Sequence, residues 1–143
     1  MDAREHFQYV AVPNYNEFVQ SPSDFRLLGN AILSMNTVAE YLGLDRSGYP
    51  PDVSRNERRR EAQKIRDDLS GLTDLQVCAD TLKHVRNNRP DDVTLSSTGI
   101  DPNDPTIWKI GGRDLVKVAH SAFATLNGLP ELKGRPSSSS RSA

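Results

Sequence analysis

Apolar residues recur along this chain mostly at helical spacing, and the polar gaps between them mark out the elements. Phe7, Val10 and Ala11 make Asp2 to Val12 mildly amphipathic, and Pro13-Asn14 predicts its end. Asn14 to Gln20 reads as a connector, with room for one helical turn, in which Tyr15, Phe18 and Val19 cover a core edge. The clearest helix follows. Ser21 has the character of an N-cap, with Pro22 at the first helical position and Asp24 three residues on. Phe25, Leu28, Ile32, Met35, Ala39 and Leu42 then fill one face, and Gly43 predicts the stop.

Asp45 to Pro51 carries loop residues, and the highly charged run Ser54 to Leu69 has a narrow stripe of Ala62, Ile65 and Leu69. That pattern predicts a helix lying on the bundle surface. After Gly71, the helix Leu72 to Asn88 places Leu72, Leu75, Cys78, Ala79, Leu82 and Val85 on one arc. Val93 to Thr98 and Thr106 to Ile110 read as short strands around the turn-rich Asp101 to Pro105, which suggests a small hairpin. Gly111-Gly112 leads into a last helix, Arg113 to Leu126, stopped at Asn127-Gly128. Single apolar faces must be buried against one another. The expected fold is mainly α, a four- or five-helix bundle with a small β-hairpin insertion before the last helix. Residues 1–133 are expected to form one domain, and the Ser-rich 134–143 to be a disordered tail.

Composition narrows the function classes. With 18 Lys+Arg against 19 Asp+Glu the formal net charge is -1, so no global field draws the chain to nucleic acid or an anionic membrane. No stretch is long and apolar enough for a membrane span. The N-terminus lacks the pattern of a secretory signal, and the single cysteine, Cys78, permits no intrachain disulfide. A cytoplasmic setting is the expectation. His6, His84 and His120 lack partners at ligand spacing, so no metal or other cofactor is expected.

Two polar stripes carry the candidate chemistry. On the helix from Leu72, Asp80, Lys83, His84 and Asn87 share an arc beside the apolar one, and Asp80 and His84 are i, i+4. A carboxylate so placed orients an imidazole and raises its pKa, the first half of a general-base pair. The plainer reading is a solvated face carrying an ordinary ion pair. A pocket shared with Arg66 or Asn30 of neighbouring helices is a third arrangement. In the charged run, Arg58-Arg59-Arg60 suits phosphate, but no aromatic is interleaved to stack a base.

The second stripe is Arg113, Lys117 and His120, with Arg113 and His120 two helical turns apart. Arg113-Asp114 followed by His120, with six residues between Arg and His, resembles the signature of HEPN domains. That resemblance implies a small helical bundle and metal-independent RNA cleavage at a site built from two protomers. Arg113 would hold the scissile phosphate, Asp114 would orient, Lys117 would add a phosphate contact, and His120 would move the proton of the 2'-hydroxyl. Over Phe7 to Leu126 the chain also resembles a group of small bacterial helical proteins with a Lys-His pair on a central helix, here Lys83-His84. That likeness implies fold and no activity. Two functions follow as expectations: an interaction module for a protein partner or a second copy of itself, or a HEPN-like ribonuclease or RNA-binding protein.

Overall fold

The computed structural model describes residues 2–47, 54–87, 100, 101 and 103–133, the side chains of Ser47 and residues 84–87 excepted. The protein is mainly helical, with a two-stranded antiparallel hairpin before the last helix. The chain opens with α1 (Ala3–His6), a π-helical segment (Phe7–Ala11) and α2 (Val12–Gln20), which follow one another without a break. Pro13 therefore does not end the helix. It stands in the first turn of α2, just after Val12 N–H has reached five residues back to the Phe7 carbonyl. A missing N–H is tolerated where the bonding register changes, as it is in any first helical turn.

Ser21 ends α2, and the cap of the next helix is Asp24. Its carboxylate accepts the N–H groups of Arg26 and Leu27 at 2.9 and 3.2 Å. This is α3 (Phe25–Ser47), which runs past the expected stop at Gly43. A Cβ on Gly43 would stand 2.7–2.8 Å from backbone atoms of Glu61 and Ala62. The glycine is there for a close helix crossing and not for a turn. α3 packs against every other long helix and is buried on most sides, including the polar Ser34 and Asn36. A helix enclosed in this way is the centre of its bundle.

The charged run forms α4 (Arg55–Asp68), N-capped by Ser54, whose hydroxyl accepts from Glu57 N–H at 3.1 Å. Ala62 and Ile65 seat it on α3. α5 (Leu72–Asn87) buries Leu72, Leu75, Cys78, Ala79 and Leu82 of the arc its sequence predicts, and the side chain of Val85 lies outside those described. The hairpin pairs β1 (Lys109–Ile110) with β2 (Arg113–Asp114) across Gly111 and Gly112, whose φ values of +58° and +79° only glycine adopts readily. So the partner of the Thr106–Ile110 region is Arg113–Asp114, and Pro105–Ile107 is a 3₁₀ turn. The expected strand Val93–Thr98 and the Ser-rich tail lie outside the described residues. α6 (Leu115–Asn127) begins two residues later than expected, with Asp114 as its N-cap. Trp108 is buried edge-on to Phe25 at 5.3 Å and serves as packing between hairpin and α3.

Candidate functional site

Three helices leave a polar cleft of about 590 Å³ between them. α3 contributes Asn36 and Glu40, one turn apart. α5 contributes Gln76, Asp80 and Lys83, again on one face. α4 contributes most: Arg55, Arg58 and Arg59 near its start, then Ala62, Gln63 and Arg66. The lining thus holds five cationic side chains and two carboxylates.

Arg66 anchors this arrangement. It follows Ile65 on the side of α4 that faces α3, so the packing that seats α4 draws it inward, to 4% exposure. Its Nη2 donates to Asn36 Oδ1 at 2.6 Å, and Asn36 is itself only 2% exposed. Its Nε is buried and has no hydrogen-bond partner among the described residues. Burial pushes the Arg66 pKa down, while the nearby charges of Glu40 and Asp80 push it up. Neither carboxylate forms an ion pair with it among the described residues. A guanidinium held this deep with one neutral acceptor carries a desolvation cost that the protein offsets only in part.

The arginines near the start of α4 add to this. The N-terminal end of a helix carries partial positive charge, so cations there are disfavoured and anions favoured. Arg55, Arg58 and Arg59 occupy that end, and no carboxylate pairs with them among the described residues. Three cations on a positive helix end, beside a buried fourth, make a strong local field in a chain of net charge -1.

The expected site residues separate into three groups. Asp80 and Lys83 do reach a pocket that includes Arg66. The side chains of His84 and Asn87 lie outside those described. Asn30 is elsewhere, in a shallower hollow of about 380 Å³ with His6, Asn14, Ser34 and Thr37. The Arg113–His120 stripe is not a single helical face, because Arg113 is on β2 and the two-turn spacing does not apply. Arg113 Nε donates to Asp74 Oδ1 at 2.7 Å, on α5. Asp114 accepts the backbone N–H groups of Val116 and Lys117 at 3.0 and 3.2 Å, which makes it a helix cap. Lys117 is exposed. His120 is exposed, with its Nδ1 2.6 Å from the Tyr15 hydroxyl, and Tyr15 stacks flat on Phe123 at 3.9 Å.

The residues that sequence reasoning missed are Asn36, Glu40, Arg55, Gln63 and Gln76. The signal was present in Asn36, a polar side chain inside the apolar run of α3, and in the four-residue step from it to Glu40. Among the described residues no group of His, Cys, Asp and Glu is arranged to hold a metal ion. No helix among them is long and apolar enough to cross a membrane. Cys78 is buried, and burial pushes its thiol up to about 11, which leaves it unreactive as a nucleophile. Comparison of the chain with protein-family models, curated proteins and solved structures finds no match.

Proposed function

We propose that this bundle is a binding module whose cleft between α3, α4 and α5 captures an anionic group, a phosphate above all. The observation that carries this reading is Arg66, a cation buried at 4% exposure with, among the described residues, one neutral acceptor and no partner for its Nε. A structural arginine at such a depth is ordinarily paired with a carboxylate. Here Glu40 and Asp80 lie close enough to favour its charge, but neither pairs with it among the described residues, which leaves a direct anionic partner for a ligand to supply. The crowding of Arg55, Arg58 and Arg59 at the positive end of α4 points the same way. A phosphate fits these donors better than a carboxylate does, because its oxygens accept from several guanidinium groups at once.

The ribonuclease reading has less support in the geometry. Arg113 is held by Asp74, and His120 shares its Nδ1 with Tyr15. The two histidine stripes also face different neighbours: Asp80 and Lys83 border the cleft, whereas His120 sits in the aromatic group of α2 and α6.

Calorimetric titration with pyrophosphate at fixed ionic strength tests the reading. Saturable binding is expected, weakened about tenfold or more in an Arg58→Gln, Arg59→Gln double variant, since each charge-assisted hydrogen bond contributes roughly 1.5–3 kcal/mol. Absence of saturable binding to the wild-type protein contradicts the proposal, as does binding that the double variant keeps in full.

A further inference from the structure

We infer that the ligand of the cleft is a phosphorylated polyol, a sugar-sized frame with hydroxyls and two separated phosphoryl groups; this rests on the anion-binding reading above. The cleft has the volume of a small-molecule site, about 590 Å³. Its lining argues against two other phosphate-bearing classes. Among the described residues no aromatic side chain borders it, so a nucleobase finds nothing there to stack on. Ala62 is its one apolar liner among the described residues, so a lipid chain finds no apolar wall there.

What the lining does offer is a mixture that a simple polyanion would not call for. Glu40 from α3 and Asp80 from α5 border the same space as the cations. Toward a bare pyrophosphate these carboxylates are repulsive, and like charges in a binding site weaken the wrong partner. Toward a polyol they are the strongest available acceptors for hydroxyl donors. Gln63 and Gln76 add amides that both donate and accept. Cations for phosphates and carboxylates for hydroxyls are thus interleaved in one cavity.

The cations also fall in two places along α4. Arg59 and Arg66 are seven residues apart, so their attachment points are separated by about 10 Å of helix rise. One locus is the exposed rim at the start of α4, the other is the buried guanidinium beside Asn36. Two loci at that spacing suit phosphates at opposite ends of a hexose-sized frame. Adjacent phosphates, as in pyrophosphate, would engage one locus at a time.

The test compares fructose 1,6-bisphosphate, pyrophosphate and ADP by calorimetry at matched ionic strength, on the wild-type protein and on a Glu40→Gln, Asp80→Asn variant. The bisphosphate is expected to bind the wild type at least about tenfold more tightly than either other probe. The variant is expected to lose that preference to within about threefold while holding pyrophosphate as well as before or better. Equal binding of the bisphosphate and pyrophosphate by the wild type overturns the polyol inference and leaves the anion cleft standing. Tighter binding of ADP overturns it in favour of a nucleotide. No binding of any probe removes both the inference and the reading beneath it.

Discussion

Two buried polar atoms lack partners among the described residues, Arg66 Nε and His6 Nε2, and they bear on the protein differently. Arg66 keeps its charge in the cleft. His6 lies against α3, edge-on to Tyr41 at 5.3 Å, and burial lowers its pKa from 6.5. Its hydrogen bond to the Ser34 backbone opposes that shift only in part. The folded state therefore prefers a neutral imidazole, and the unfolded chain takes up the proton first as pH falls. Stability is complete above the unfolded value near 6.5 and declines below it, down through the lowered folded pKa. Urea unfolding between pH 7.5 and 5.5 (about one unit either side of that value) should show wild-type stability falling more steeply than that of His6→Gln. Parallel pH profiles would remove His6 from the account.

At the scale of elements, the sequence located the helices from α3 onward well and their ends poorly, and it took most of α2, Asn14 to Gln20, for a connector. The apolar arcs of α3 and α5 identify core residues because 3.6-residue spacing is set by burial, which is a property of the whole helix. Ends depend on single contacts. Pro13 looked like a breaker, since nothing in the sequence announces the π-helical segment that precedes it. Gly43 looked like a stop, since a glycine at a close crossing and a glycine at a C-terminus are the same letter. The crossing has a measurable consequence. On an exposed helix Gly→Ala stabilises by about 1 kcal/mol. At Gly43 the added methyl meets backbone of α4, so Gly43→Ala is expected to destabilise by about 1–3 kcal/mol in chemical denaturation. Stabilisation there would mean that α3 and α4 are not in that contact. The misplaced start of α6 had a larger effect on function. Asp114 is a better cap than any residue before it, so Arg113 falls into the hairpin and the helical Arg–His register dissolves.

At the scale of the molecule, the candidate site was legible only in fragments. Asp80, Lys83 and the run Arg58-Arg59-Arg60, of which Arg58 and Arg59 line the cleft, stood out in the sequence. Arg66 was one of two neighbours for whose pairing the sequence holds no warrant, and the convergence of all these groups depends on how α4 and α5 lie against α3. That placement comes from packing across three helices, with Ala62 and Gly43 setting the approach of α4. The cleft that results concentrates positive charge in a near-neutral chain, and it does so around a cation whose burial is unfavourable by itself. Removing Arg66 relieves that burden but also leaves Asn36 Oδ1 buried without its donor, at a cost of about 1–3 kcal/mol, so the effect of the anion on stability is the informative readout. An arginine kept for its ligand and an arginine kept for the fold thus differ in whether the anion stabilises the protein that carries it. The most direct measurement is the unfolding free energy of the wild type and of Arg66→Met, each with and without pyrophosphate at constant ionic strength. Pyrophosphate should raise the unfolding free energy of the wild type and leave that of Arg66→Met, whatever its starting stability, nearly unchanged. A wild type that gains nothing from the anion, or an Arg66→Met protein that gains as much as the wild type, would contradict the account and leave Arg66 serving the fold alone.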